Sequence, residues 1–269
     1  MNSKASNISA YVFLILAALC SVFPLYYMAI AATNTSVDVI RGTLLPGTHL
    51  FQNFSNLVAG TPLGIAMKNS LVNATSLTIL SLVICSIAGY GFEIFHTKGK
   101  DVVMNILLLA MMIPFASTMI PLFRMFGQMG LVGSTVAVIL PTISTPFLIM
   151  LFRQSSRDFP HEIIEAARID GLNEIMIFFR LFIPTMKSTY SAAAVITFMG
   201  AWNNYLWPRV ILLQKETMTM PMLISNLKAG YVTDYGMLML AVLICTLPTV
   251  VIFFFFQKSF AEGISGSVK

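Results

Sequence analysis

Six charged side chains, Glu162, Glu165, Arg168, Asp170, Glu174 and Arg180, are concentrated within residues 160–184. No charged residue occurs from Met125 to Phe152 before them, or from Ser188 to Pro208 after them. Such a set admits three kinds of chemistry. Zinc-assisted hydrolysis needs two histidines four apart on one helix face with a glutamate between them. His161, Glu162, Ile163, Ile164 and Glu165 put a glutamate where the second histidine must stand, so that pattern fails. Phosphate binding of the nucleotide-hydrolysing kind needs a glycine-rich loop ending in Lys and Ser or Thr. Gly99-Lys100-Asp101 lacks the upstream glycine and the hydroxyl residue. What remains is recognition, in which charges flanking an apolar face set the register of a helix against another protein.

The local pattern supports a helix, a turn and a second helix. Pro160 suits a first helical turn, where its missing N–H costs nothing. Asp158 and Glu162 sit at the end where the helix dipole favours negative charge. Gly171 is the natural terminator, because glycine accepts the left-handed conformation. Asn173 can cap a second helix running through Arg180 to Pro184. Ile163, Ile164, Ala167 and Gly171 mark one side, and Glu162, Glu165, Arg168 and Asn173 a more polar one. Ala166 and Ala167 are small enough to allow close approach to a groove on a partner. The competing reading is a surface helix packed on the chain's own body, its charges merely solvated.

The elements that must hold this cassette are apolar. Of 269 residues, 57% are hydrophobic and only 10% charged, with mean hydropathy +0.83; a soluble domain has about 25% charged residues. In lipid the outer surface must be apolar and the backbone satisfied within helices. About 20 apolar residues cross the hydrocarbon core as a helix. Six segments meet that length, roughly 10–32, 69–92, 102–123, 131–152, 186–208 and 236–257. The fold class expected is therefore all-α, a polytopic membrane protein with six transmembrane helices in a single domain over 1–269. The first apolar run is too long for a signal core and is expected to stay as an uncleaved span. Pro24, Pro114, Pro141, Pro146 and Pro248 fall within spans, which membrane helices tolerate.

The net charge of +5 is modest and has no clustered basic patch, so nucleic acid is not an expected partner. Its distribution bears on orientation instead. With the N-terminus in the cytoplasm, ten of the 16 Lys and Arg face inward, as the positive-inside rule requires. Both termini and the 158–184 loop are then cytoplasmic. Cys20, Cys85 and Cys245 all lie in apolar segments and read as packing residues, with no metal site. Ser81, Cys85 and Gly89 recur every four residues on the second span, which predicts a close helix–helix contact. Asn69, Asn73, Asn203 and Asn204 lie within or beside spans. They either hydrogen-bond between helices or line a translocation path. Trp202 and Trp207 are expected as interfacial anchors. The absence of ionisable residues deep within the spans opposes a proton-coupled secondary transporter.

Glu165-Ala166-Ala167, Gly171 four residues on, and Ile183-Pro184 after it resemble the EAA loop of ATP-binding-cassette (ABC) importer permeases. The run Phe198-Met199-Gly200-Ala201-Trp202-Asn203-Asn204-Tyr205-Leu206-Trp207-Pro208 is similar to the fifth-span signature of the carbohydrate-uptake group. So are Asn69-Ser70 and the tail from Phe256 to Ile264. The likeness covers roughly 60–269 and is nearest the maltose-type second permease. His96-Thr97-Lys98-Gly99-Lys100 departs from the Arg-rich loop usual there.

That resemblance implies a function. The chain would be a permease subunit in the bacterial cytoplasmic membrane, importing a carbohydrate by alternating access. Its partners would be a homologous second permease, an ABC ATPase dimer, an extracytoplasmic solute-binding protein and membrane lipid. ATP and Mg would bind on the ATPase, with no cofactor or catalytic residue on this chain. Glu165, Ala166, Ala167, Arg168, Asp170 and Gly171 would couple it to the ATPase. The alternatives are an ATP-independent secondary transporter or channel, and a membrane-embedded scaffold or enzyme.

Overall fold

The computed structural model describes residues 3–229 and 233–266, with the side chains of 9–229 and 233–257. The side chains of Lys4, of Lys258 and of the tail segment beyond Gln257 lie outside the described residues, as does Lys269. The described chain is helical, and no strand occurs among the described residues. In order the helices are α1 (Ser3–Ala31), α2 (Ser36–Ile40), α3 (Leu50–Gly60), α4 (Leu63–Ile94), α5 (Lys98–Ala110), α6 (Phe115–Gln128), α7 (Thr135–Ile139), α8 (Pro146–Arg157), α9 (His161–Ile169), α10 (Glu174–Ile177), α11 (Ile183–Thr185), α12 (Lys187–Trp202), α13 (Leu206–Ile211), α14 (Met220–Lys228) and α15 (Tyr235–Gly266). A π-helical turn, Phe178–Phe182, joins α10 to α11.

Among the described residues, three helices are long and apolar enough to cross a membrane unbroken: Ser9–Ala31, Leu63–Ile94 and Tyr235–Gln257. Two bent pairs pass the same test jointly. Lys98–Ala110 meets Phe115–Gln128 at 98°, and Thr135–Thr142 meets Pro146–Arg157 at 51°. Three unbroken helices and two bent pairs thus account for up to five of the six expected spans. The 102–123 and 131–152 segments are broken helices, and the proline positions explain why. Pro24 and Pro248 lie inside helices, whereas Pro114 caps α6, Pro141 sits in a 3₁₀ turn and Pro146 opens α8. Proline removes a donor and clashes with the preceding turn, so a helix restarts readily with proline at its first residues. The long helix of the 186–208 segment is α12, whose 16 residues reach about 24 Å. It stops at Trp202, and the chain breaks over 203–205 before α13.

The chain divides into two compact units. The first comprises Met1–Gly64 and Met220–Pro248. Its polar side chains tie the 33–62 segment to the start of α15. Asp234 caps α15 by accepting from the Met237 N–H at 3.1 Å, and it also accepts from the Ser36 hydroxyl at 2.8 Å. The Asn53 amide donates to the Ala32 and Asn34 carbonyls. Within the 33–62 segment the chain forms two short helices, α2 and α3. On α1, Tyr11, Phe13 and Ile15 point outward, as lipid-facing side chains must.

The second unit comprises Ile65–Thr219 and Thr249–Lys269. Its core is built on the small-residue stripe of α4. Ser81 and Cys85 are buried, and Cys85 packs with Leu148, Ile149 and Phe152 of α8. A Cβ on Gly89 would lie 2.6 Å from the Arg153 nitrogen and the Phe152 Cβ. The stripe thus brings α4 and α8 to backbone contact, as its four-residue spacing predicts. Inside lipid, burial of apolar surface does not by itself bring helices together, so dispersion packing of this kind is the main attraction.

Candidate functional site

The cassette opens on Pro160, which stands one residue before α9. Gly171 has φ +81°, the left-handed conformation its position required. The Gly171 N–H donates to the Arg168 carbonyl at 3.1 Å, and the Leu172 N–H to the Ala167 carbonyl at 3.0 Å. These are the two bonds of a Schellman motif, which satisfy carbonyls a helix end leaves open. Asn173 caps α10 as expected, its side chain accepting from the Met176 N–H at 2.8 Å. The second helix is less regular than expected, since it passes through the π turn before reaching Pro184.

One face of the cassette is packed inward. Ile164, Ala167, Ile177, Phe178 and Phe182 form a buried cluster with Tyr90 of α4 and Phe159. The Tyr90 ring lies 5.0 Å from Phe182 and 5.3 Å from Phe178, both edge-on, an arrangement that aromatic quadrupoles favour. Glu174 adds a polar brace. It accepts from the Arg168 Nε at 2.7 Å and from the Tyr90 hydroxyl at 3.5 Å. The bond to the Glu174 carboxylate raises the Arg168 pKa above its ordinary value. The expectation that Ala166 and Ala167 both face a partner is corrected: Ala167 is only 6% exposed and belongs to the chain's own core. Successive side chains on an α-helix are about 100° apart, and here Ala167 turns inward while Ala166 does not. Ala166 remains outward with Glu165, Arg168 and Asp170. Around them Ile163, Ile169 and Ile175 are also exposed, Ile169 at 86%.

Sequence reasoning missed the ionic cluster that ties the adjoining helix ends together. Arg153 of α8 donates to Glu93 of α4 at 3.0 Å and to Asp101 of α5. The Arg153 and Glu93 side chains are only 8% and 11% exposed. Arg157 reaches the other Glu93 oxygen at 3.1 Å. Lys100 folds back to donate to the Gly91 and Phe95 carbonyls, so the lysine-bearing loop after α4 caps that helix. The signal was present: Glu93 closes one apolar segment and Arg153 closes another.

The four expected path residues divide. Asn69 is committed to structure, its amide donating to the Glu216 and Met218 carbonyls at 2.8 and 3.0 Å. Asn73 is buried, and its side-chain oxygen has no partner among the described residues. Asn203 donates to the Met199 carbonyl at 2.9 Å and closes α12. Of the four, Asn204 lines a cavity of about 240 Å³, whose wall combines Thr142, Thr145, Thr197 and Gly200 with the apolar Leu77, Phe147, Leu148, Ile196 and Ala201. The tryptophans are not interfacial anchors. Trp202 and Trp207 are 1% and 0% exposed, and the Trp207 indole donates to the Ala137 carbonyl at 2.8 Å. Their pairing with Phe198 and Phe126 inside the fold outweighs the interface. Among the described residues no group of three or more His, Cys, Asp or Glu is placed to hold a metal ion.

Apolar helices long enough to span a bilayer and a braced surface cassette define a multi-pass membrane protein with a docking element. Residues 81–266 match the family of binding-protein-dependent transport system inner membrane components, and the chain belongs to that family. It is a permease subunit of an ABC importer and not itself an enzyme. Over its full length it is similar to the lactose transport system permease protein LacG of Rhizobium radiobacter. The two are 43% identical over 269 residues, covering 100% of this chain and 98% of that protein. It is 33% identical over 269 residues to the arabinooligosaccharides transport system permease protein AraQ of Bacillus subtilis (strain 168), covering 98% and 96%. A chain of a bacterial ABC transporter involved in the import of the acidic polysaccharide alginate shares the fold. Its TM-score is 0.84 at 20% identity, covering 96% of this chain and 97% of that one.

Proposed function

We propose that this subunit moves a carbohydrate across the bacterial cytoplasmic membrane, driven by a separate ATPase that docks on the 158–184 cassette. The observation that carries the docking is that Ile163, Ile169 and Ile175 are all left exposed on a cassette whose inner face is locked into the body. A solvated surface helix gains nothing from exposed isoleucines, whereas burying one against a partner contributes about 1.5–3 kcal/mol. Ala166 and Gly171 let the partner approach closely, and Glu165, Arg168 and Asp170 at the rim set register. The full-length likeness to LacG and AraQ supports a sugar or oligosaccharide as cargo.

In this reading both termini and the cassette are cytoplasmic. A second, homologous permease completes the path, and an extracytoplasmic binding protein delivers the solute. ATP and Mg bind on the ATPase dimer. Closure of that dimer on ATP displaces the cassette. Glu174 and the Tyr90 cluster pass the displacement to α4, and the Arg153 cluster joins α4, α5 and α8 at the same end. The ligand can drive the change only because the cassette's contacts differ between the two states. The test is ATP hydrolysis by the reconstituted complex with its binding protein, screened over mono- and oligosaccharides. Stimulation by at least one carbohydrate, with accumulation inside the vesicle, is expected. Stimulation only by amino acids or metal ions would overturn the cargo.

A further inference from the structure

The cavity lined by Thr142, Thr145, Phe147, Thr197, Gly200 and Asn204 sits where two helices are interrupted. On one side the α7–α8 pair bends by 51° between Thr142 and Pro146. On the other, α12 ends at Trp202 and Asn204 lies in the break that follows. Irregular backbone at membrane depth persists only where protein buries it or where it lines a water-filled space. The depth is intermediate. The bend lies about 12 Å along the chain from the start of α7 and about 18 Å from the end of α8, at 1.5 Å per residue. Leu77, which also lines the cavity, is close to the midpoint of α4.

Two threonines in this largely apolar wall, Thr145 and Thr197, have spare hydrogen-bonding capacity. Threonines within helices ordinarily donate to the carbonyl four residues back, and here Thr78, Thr185 and Thr246 do so. Thr197 does not. Its shielded hydroxyl has no partner among the described residues, and threonine has two accessible χ1 wells in a helix. One χ1 step therefore reorients the hydroxyl without breaking a bond. Thr145 accepts from the Leu148 N–H, which leaves its own O–H free to donate. Gly200 keeps the wall open, since a Cβ there would meet nothing within 4 Å. Phe147 is half exposed and supplies a flat apolar face.

We propose that this cavity is the subunit's own contact with the solute, and that it takes one polyhydroxylated ring. The ring's C–H face would lie on Phe147, and its hydroxyls would bond Thr145, Thr197 and Asn204. The volume is below the roughly 300–1,000 Å³ of a site that encloses a whole ligand, so a larger saccharide would be held one unit at a time. The inference rests on the proposed carbohydrate cargo, and its test separates the two.

In the assembled importer with Cys20, Cys85 and Cys245 changed to Ser, Gly200→Cys is treated with a charged methanethiosulfonate. The thiol is expected to react at rates at least fivefold different in the nucleotide-free and ATP-bound states. Lactose or another carbohydrate that the importer carries should slow the reaction at least threefold. Gly200→Phe complexes that still co-purify with the ATPase should lose disaccharide uptake at least tenfold. A thiol that reacts only with a lipid-soluble maleimide, or in neither state, would place lipid or a partner helix over the cavity and overturn the site. Wild-type uptake by Gly200→Phe would overturn it too, as would labelling that no transported carbohydrate slows. State-dependent labelling in an importer that carries no carbohydrate would overturn the cargo and leave the cavity on the path.

Discussion

Gly171 shows how one residue sets the shape of the cassette. Its φ of +81° costs a residue with a Cβ about 1–2 kcal/mol, even though the space around it is open. Gly171→Ala should therefore loosen the Schellman turn without a clash. Hydrogen exchange at the Leu172 amide, which bonds the Ala167 carbonyl, should quicken roughly tenfold; unchanged exchange would show that the turn tolerates a side chain. Arg153 and Arg157 form a contrast at the same scale. Both pair with Glu93, but Arg153 is buried and the Arg157 side chain is 57% exposed. Removing one partner of a buried pair costs about 3 kcal/mol or more, and an exposed pair contributes about 0–1 kcal/mol. Arg153→Met should lower the unfolding midpoint of the purified complex clearly, and Arg157→Ala hardly at all. Equal effects would contradict the burial difference. Gly171 and Asn173 were legible because their chemistry is local. Arg153 with Glu93 was not, because 60 residues separate the partners and only the fold brings them together.

Close approach of α4 and α8 depends on Gly89. Gly89→Val should force the helices apart and destabilise by about 1–3 kcal/mol, the usual cost of overpacking. Gly91→Ala, two residues on with nothing within 4 Å of its Cβ, should be neutral or stabilising by up to about 1 kcal/mol. Thermal unfolding of the two variants in one detergent checks this, and equal loss would show that the stripe is not the contact. The stripe was readable from its four-residue spacing. The breaks were not, since the rule that membranes tolerate proline does not say which prolines interrupt a helix. Thr145 shows what decides it. Its hydroxyl caps the restarted helix at the Leu148 N–H, so the Pro141 to Pro146 stretch carries both a stop and a new start. Trp202 and Trp207 were misplaced for a related reason: the break between α12 and α13 turns both rings into the protein.

The whole chain is a set of apolar helices of unequal completeness, and composition alone indicated a multi-pass membrane protein. It could not show that, among the described residues, three helices are long and apolar enough to cross unbroken and two pairs are bent, because hydropathy counts apolar residues and not bends. The proposed orientation, with both termini cytoplasmic, predicts that single cysteines at Thr43 and Gln214 are labelled from outside intact cells and that one at His161 is not. Labelling of His161 from outside would reverse the topology and detach the cassette from any ATP-binding partner.

Coupling through the cassette is the centre of this account, and Ile169 is its sharpest probe. Ala167→Asp would damage the chain's own core, but Ile169 is 86% exposed, so Ile169→Asp leaves the fold alone. ATP-driven uptake of carbohydrate into proteoliposomes should be measured beside ATPase retention by the purified permease pair. Loss of about 1.5–3 kcal/mol of buried contact predicts docking weakened at least tenfold, with uptake falling in parallel. Full retention and full uptake with Ile169→Asp would contradict the account and leave the cassette an ordinary surface helix.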